Sequence, residues 1–198
     1  MMMQKARTLR ILCAFMMVLC LVSSAIAAVN DDTKARNIYQ LFRKVNPKLS
    51  AGNAKKYSEI VIAAGKKYKQ DPYVIASIIV HESTVKYNAV SKGGDYGLMQ
   101  VRWRVHEKAI KAEYPRVKKA SDFFDPRTNI FFGTRILSEC AAKSKDLRGA
   151  LLRYSGGGTK VTAKVMNTVK ELQAMDKTAK PKPKKRSFLD RLFNRSKS

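Results

Sequence analysis

The sequence is poor in cysteine, tryptophan, histidine and acidic residues. Its 198 residues include three Cys, one Trp, two His and only 15 Asp and Glu. Cys13 and Cys20 lie in the first 27 residues, so the rest of the chain keeps only Cys140. One cysteine excludes an internal disulfide and a cysteine-based metal site in that part. A hydrophobic content of 45%, with ten Gly and six Pro, is typical of a globular domain and excludes collagen and polytopic membrane proteins.

The histidines and glycines also lack the spacings of known metal and phosphate sites. His81 and His106 stand in no His-x-x-x-His or Glu-x-x-His pattern, and no calcium-binding loop is present. Neither Gly93-Gly94 nor 156–158 has the Gly-Lys-Ser/Thr ending of a phosphate loop. We therefore expect a protein that needs no metal and no cofactor.

The first 27 residues are organised like a secretory signal peptide. Lys5, Arg7 and Arg10 form a basic start, an apolar run covers 11–26, and Ala25-Ile26-Ala27 is a small-x-small cleavage signature. The run of 16 residues is shorter than the roughly 20 that a transmembrane helix needs. We expect cleavage and export to the periplasm, or to the cell wall and exterior. An uncleaved membrane anchor is the alternative.

The last 22 residues, 177–198, form a separate compositional segment. They hold nine basic residues and one acid, and Lys-Pro-Lys-Pro-Lys-Lys-Arg has too little apolar surface to fold alone. Further on, Phe188, Leu189, Leu192 and Phe193 share one helical face. We expect either a short docking or membrane-surface element or a disordered, solubilising tail. The folded domain is then 28–176.

Positive charge dominates the composition. The 40 Lys and Arg give a formal net charge of +25, of which +14 belongs to residues 28–176. A charge of this size favours an anionic partner. Export and the lack of a recognisable nucleic-acid module oppose nucleic acid. We expect instead peptide carboxylates of a cell wall, anionic envelope polymers or anionic lipid.

Periodicity and capping residues predict a mostly α fold for 28–176. The predicted helices run from Asp31 or Asp32 to about Lys44, over Ala54–Lys69, from Tyr73 to about Ser83, and over Asn129–Ala142, Leu147–Tyr154 and Val161–Leu172. The helix after Asp71-Pro72 is apolar almost all round, which indicates burial. Between 84 and 103 we expect a loop-rich insert whose strand-like residues are Tyr96–Trp103.

Glu82 has the best local context for acid catalysis. It shares a face with Ile75, Ile78 and Ile79 in the last turn of the apolar helix. Partial burial and the negative end of the helix dipole both raise a carboxyl pKa. A carboxyl group that stays protonated near neutral pH is what a general acid requires. The alternative is a helix-terminal Glu that simply meets water.

The residues that follow carry a family pattern. A helix-terminal Glu-Ser is followed by an Asn and an Ala, by a Ser nine residues after the Glu, and by Gly-Leu-Met-Gln. The matching positions are Glu82, Ser83, Asn88, Ala89, Ser91, Gly97, Leu98, Met99 and Gln100. Downstream come Asn129-Ile-Phe-Phe-Gly133 and Ala150-Leu-Leu-Arg-Tyr154-Ser-Gly-Gly. Together these motifs resemble the soluble lytic transglycosylases, which share the goose-lysozyme fold, over roughly residues 54–172.

The resemblance implies a lysozyme-like helical domain that cleaves peptidoglycan between N-acetylmuramic acid and N-acetylglucosamine. Glu82 would be the single acid and base, and the muramyl 6-hydroxyl would close on C1 to give a 1,6-anhydro end. Ser91 would bind near the sugar's N-acetyl group. Gln100 and Tyr154 would line the site, and Met99 would shape its floor. Such substrate-assisted routes need no second carboxylate.

Two positions depart from that pattern. Ser155 replaces the family's Asn after the active-site Tyr. Asp95, where many members have a small residue, lies in Asp-Tyr-Gly-Leu-Met-Gln, which also resembles animal-type lysozymes. Asp95 would then be a second catalytic carboxylate facing Glu82. The alternative is a turn Asp that bonds its own backbone.

Three functions therefore compete. The first is an exported lytic transglycosylase. The second is a lysozyme-like hydrolase that uses Glu82 with Asp95. The third is a catalytically inactive protein that binds the wall. Small members of the family often accompany secretion, conjugation or pilus machinery, for which the segment 177–198 would be the docking element.

Overall fold

The computed structural model describes residues 30–178, and the predicted signal peptide and nearly all of the predicted tail lie outside them. In chain order the elements are α1 (30–45), α2 (Ala51–Tyr68), α3 (Pro72–Ser83), β1 (Asp95–Tyr96), β2 (Val101–Arg102), α4 (Trp103–Glu113), a 3₁₀ helix (Ala120–Phe124), α5 (Pro126–Ala142), α6 (Leu147–Tyr154) and α7 (Thr159–Thr178). The mostly α fold class is confirmed. None of the helices in this part of the chain is both long and apolar enough to cross a bilayer.

The central element is α3, which is buried at every position from Tyr73 to Val80. It packs against α2 and α7, while α5 packs against α2 and α6. Full burial agrees with the prediction from its all-round apolar sequence. Its start is set by Asp71, whose side chain accepts a hydrogen bond from the Tyr73 N–H at 3.0 Å, and by Pro72 in the first turn.

Side-chain caps set the starts of α2, α5 and α6 as well. Ser50 accepts from the Asn53 N–H at 3.1 Å, Asp125 from Thr128 at 2.8 Å and Asp146 from Gly149 at 2.7 Å. The helices predicted from these regions are confirmed, although α2, α5 and α7 extend beyond the predicted bounds.

The prediction that Asp31 or Asp32 caps α1 is wrong. Both residues lie inside the helix, and the Asp31 carboxylate instead forms an ion pair with Lys66 of α2 at 2.5 Å. Asp31 therefore contributes a contact between helices rather than a helix start.

The insert after α3 contains less strand than predicted. Residues 95–96 and 101–102 form a two-stranded antiparallel sheet in which Asp95 pairs with Arg102 and Tyr96 with Val101. The four residues between them make a tight turn in which the Gln100 N–H donates to the Gly97 carbonyl at 3.2 Å. Trp103, predicted as strand, already belongs to α4.

Candidate active site

Glu82 lies at the open end of the buried helix α3. The helix ends one residue later, where Thr84 takes a left-handed conformation (φ 51°) and its N–H donates to the Val80 carbonyl. The Glu82 side chain is half-buried and lines an open cleft of about 230 Å³. Burial raises the pKa of Glu82, and the nearby negative charge of Asp95 raises it further. This carboxyl group therefore keeps its proton to higher pH than an exposed Glu.

The tight turn at 97–100 forms one wall of this cleft. Gly97 has a φ of +78°, and a Cβ there would collide with the side chain of Asn129. Gln100 has a φ of +47° and lines the cleft. Its Nε2 donates to the carbonyls of Ala89 (3.1 Å) and Gly97 (2.9 Å). These two bonds fix the amide plane of Gln100.

Asn129 holds the turn from the side opposite the cleft. It is fully buried in α5, and its Oδ1 accepts from the Met99 N–H at 2.9 Å. Its Nδ2 donates to the carbonyl of Tyr96 at 2.9 Å and to that of Phe123 at 3.4 Å. One amide side chain thus provides hydrogen-bond partners for three backbone groups, two of which belong to the buried residues Met99 and Phe123.

Met99 supports the site from below. Its side chain is fully buried against α5, where a Cβ on Gly133 would come within 2.7 Å of the Met99 Sδ. Its carbonyl oxygen accepts from the Tyr154 hydroxyl at 2.8 Å. Asn129 and Tyr154 belong to the two downstream family motifs. Both motifs therefore contact this one residue, Met99.

Tyr154 borders Glu82 both in the cleft and in a smaller pocket beside it. Burial raises the pKa of Tyr154 well above its usual range, and the neighbouring Glu82 acts in the same direction. The phenol therefore stays neutral and remains a hydrogen-bond donor at physiological pH. Ser155, the residue that replaces the family's Asn, accepts from the Gly158 N–H at 3.0 Å and also lines the cleft.

Asp95 lies in the same cleft, but its carboxylate is occupied. Arg102 Nε donates to Oδ1 at 2.7 Å, and Arg102 Nη2 donates to Oδ2 at 3.1 Å. The Ser91 hydroxyl donates to Oδ2 at 2.8 Å. The hydrogen bond from Arg102 holds the pKa of Asp95 below its usual value against the opposing effect of partial burial, with Ser91 assisting. Side chains, not its own backbone, therefore bind this carboxylate.

Ser91 is not among the residues that line the cleft, but it contacts Asp95, which is. Besides donating to Asp95, its hydroxyl oxygen accepts from the N–H groups of Gly93 (3.2 Å) and Asp95 (3.1 Å). In this structure Ser91 therefore organises the loop that leads into β1. Its predicted contact with an N-acetyl group stays a prediction.

The structure brings four of the predicted site residues together along the cleft: Glu82, Asp95, Gln100 and Tyr154. Among the other residues that line the cleft, three have polar side chains that were not predicted as site residues: Arg102, His106 and Arg153. A weak sequence pattern does predict the helix that carries His106. The i, i+3, i+4, i+7 positions of a helix are occupied here by Trp103, His106, Glu107 and Ile110. Two of these four residues are polar, which weakens the apolar stripe.

His106 enters the cleft from α4 and packs edge-on against the Phe132 ring, with centroids 5.8 Å apart. Burial lowers the pKa of His106, and the positive charge of Arg135 lowers it further. The imidazole is therefore neutral at pH 7. Within residues 30–178, no three His, Cys, Asp or Glu side chains are grouped as metal ligands would be.

Comparison with known proteins agrees with the motifs. The family model of the Transglycosylase SLT domain matches residues 59–185. A "Membrane-bound lytic murein transglycosylase E" of Buchnera aphidicola is 28% identical over 117 residues, which are 56% of this chain and 52% of that protein. A "Transglycosylase" of Enterobacteria phage PRD1 is 30% identical over 102 residues, which are 50% of this chain and 34% of that protein. The chain thus spans about half of the first relative and about a third of the second. Because the family model covers more than half of its length, the chain belongs to the Transglycosylase SLT domain family.

Proposed function

We propose that this protein is a peptidoglycan lytic transglycosylase in which Glu82 is the single general acid and base. The observation that carries the proposal is the contrast between the two carboxyl groups of one cleft. Glu82 has a raised pKa and therefore holds its proton to higher pH than an exposed Glu, whereas Arg102 and Ser91 favour the ionised form of the Asp95 carboxylate. Family membership and the names of the two relatives support the reaction class.

The proposed reaction has two proton transfers through one residue. Protonated Glu82 donates its proton to the glycosidic oxygen as the bond from that oxygen to C1 of N-acetylmuramic acid breaks. The Glu82 carboxylate then accepts the proton of the muramyl 6-hydroxyl, whose oxygen bonds to C1. The substrate's acetamido group stabilises the positive charge between these steps, as in other substrate-assisted glycosidases. No water is consumed, so the product is lighter by one water than a hydrolysed one.

The remaining site residues would position the sugar and the acid. Tyr154 stays neutral beside Glu82 and donates its one hydroxyl proton to the Met99 carbonyl, so toward the sugar or Glu82 its oxygen would act as an acceptor of fixed position. Gln100 keeps its NH₂ group on two carbonyls, so its amide oxygen is the atom it would offer to the substrate. Ser91, in the loop that leads into β1, would bind near the N-acetyl group of the sugar.

The direct test is digestion of purified peptidoglycan, followed by mass analysis of the soluble muropeptides. We expect anhydro-muramyl ends from the protein and none from Glu82→Gln. The matched control is Glu59→Gln, an exposed residue of α2 whose side chain lies 3.9 Å from Lys55. Release of anhydro ends by Glu82→Gln would refute the assignment of the acid. Binding without release by the unaltered protein would favour the inactive wall-binding alternative.

A second candidate is the lysozyme-like hydrolase, which the presence of Asp95 in the cleft favours. In that reaction water attacks C1, and the new ends are ordinary reducing sugars. The same mass analysis separates the two functions, because reducing ends from the unaltered protein would make it a hydrolase.

We also propose that the protein acts in the cell envelope and that its basic C-terminal segment assists binding. A formal charge of +25 suits the carboxylates and phosphates of envelope polymers or anionic lipid. We expect sedimentation with purified sacculi to weaken as salt rises and to fall when residues 177–198 are deleted. Unchanged sedimentation after the deletion would refute this role. The proposal that the same segment docks to secretion, conjugation or pilus machinery would then lose its support.

A further inference from the structure

Asp95 and Arg102 face each other across the two-stranded sheet. They are register partners in β1 and β2, and their side chains form a two-point ion pair with N–O distances of 2.7 and 3.1 Å. The Asp95 side chain is 20% exposed and that of Arg102 is 50% exposed. With the Ser91 hydroxyl at 2.8 Å, three donors converge on one carboxylate.

The Asp95 carboxylate lies where a second catalytic group would lie, but both of its oxygens already accept hydrogen bonds. It lines the cleft that Glu82 lines, and its negative charge reaches Glu82. An Asp that activates water must have an oxygen free to accept a proton. Here Oδ1 is bound by the guanidinium, and Oδ2 is shared between the guanidinium and the Ser91 hydroxyl.

We propose that Arg102 is a product-determining residue, which suppresses a latent hydrolytic activity by keeping Asp95 from activating water. This inference rests on the proposed function and extends it. Arg102 acts through Asp95 and is therefore a positioning residue. The co-substrate of the latent activity is water, which competes with the muramyl 6-hydroxyl for C1.

The two outcomes differ in the nucleophile and in the carboxylate that accepts the nucleophile's proton. In both, the bond from C1 to the glycosidic oxygen breaks, and Glu82 supplies the proton to the leaving oxygen. In the suppressed reaction the water oxygen bonds to C1, and one water proton passes to the Asp95 carboxylate. Asp95 later returns this proton to solvent, and Glu82 regains its own proton from solvent. In the dominant reaction O6 bonds to C1, and its proton passes to Glu82.

The test is the ratio of reducing to anhydro ends released from peptidoglycan, measured by mass for the full mature protein. We expect Arg102→Gln to raise this ratio at least about tenfold, since a free general base contributes 10²-fold or more. Adding Asp95→Asn to Arg102→Gln should return the ratio to that of the unaltered protein. Arg104→Gln is the matched control, because it removes an exposed arginine two residues away and should leave the ratio unchanged.

Arg102→Lys is the second variant, in case Arg102→Gln does not fold. One ammonium group replaces two guanidinium bonds, so an intermediate ratio is expected. A merely structural role for Arg102 would lower total release at constant ratio. If a folded Arg102 variant still forms anhydro ends at an unchanged ratio of reducing to anhydro ends, the inference about Arg102 is overturned. If the unaltered protein forms no anhydro ends, the proposed function fails instead.

Discussion

The Tyr154 hydroxyl donates to the main-chain carbonyl of Met99 at 2.8 Å, across 55 residues of sequence. This bond ties the end of α6 to the turn that carries Gln100. It orients the phenol beside Glu82, and it satisfies a carbonyl that lies within a fully buried residue. The position of one side chain of the candidate site thus depends on a backbone group of another motif.

Replacing Tyr154 by Phe should lower both stability and activity. The variant keeps the ring but leaves the Met99 carbonyl without its partner, which costs about 1–3 kcal/mol. We expect the loss in urea unfolding, together with reduced muropeptide release. Tyr68→Phe is the control, since the Tyr68 hydroxyl contacts the side chains of Glu113 (3.4 Å) and Tyr114 rather than a buried main-chain carbonyl. Equal stability of Tyr154→Phe and the unaltered protein would show that the bond contributes nothing.

Activity should fall as pH rises through the pKa of Glu82. Only the protonated group can donate to the glycosidic oxygen, and burial together with Asp95 raises its pKa above the ordinary value of 4.5. We therefore expect muropeptide release to persist above pH 4.5 and to decline as pH rises further. Initial rates between pH 4 and pH 9 measure this. A decline centred at or below pH 4.5 would contradict it.

The same shift predicts that Glu82 reduces stability at high pH. A carboxyl whose folded pKa is raised contributes stability below its unfolded pKa, and that contribution is lost as pH rises through the folded pKa. Glu82→Gln has no charge to bury, so it should be more stable than the unaltered protein at pH 8. The difference should shrink toward pH 4. Urea unfolding at the two pH values tests the sign, and a less stable Glu82→Gln at pH 8 would contradict it.

Asn129→Ala should be strongly destabilising, by about 2–4 kcal/mol, because it removes the partners of buried backbone groups at Met99, Tyr96 and Phe123. The measurement is the free energy of unfolding in urea. Asn167→Ala, at an exposed position of α7, should change it by less than about 0.5 kcal/mol. Similar losses in both variants would show that the buried amide has no special role.

Two glycine substitutions should have opposite signs. Gly133→Ala places a methyl group within 2.7 Å of Met99 Sδ and should destabilise by about 1–3 kcal/mol. Gly52→Ala, also in a helix, has nothing within 4 Å of the new atom and should stabilise by about 0.4–1 kcal/mol. Thermal or urea unfolding of both variants gives the comparison. A stabilising Gly133→Ala would mean that α5 and Met99 are not in close contact.

The helices could be predicted where a local signal was strong. Asp71-Pro72 and Asp125-Pro126 identify helix starts because a side-chain cap and a proline act within one turn. Helix α4 lacks such a signal: Arg102 makes no side-chain cap, and Ile110 is its only buried residue. The cap predicted at Asp31 fails because the carboxylate binds Lys66, which is distant in sequence.

The sequence by itself determined the mostly α class, the buried helix with Glu82 in its last turn, and the motifs that contain Gln100 and Tyr154. These depend on periodicity, capping and ordered residue types, all of which act over short stretches of chain. Only the tertiary structure decided that Asn129, Met99 and Tyr154 form one connected support, and that Arg102 occupies the Asp95 carboxylate. Those relationships depend on strand register and helix packing, which bring distant residues within hydrogen-bond reach and which no local pattern encodes.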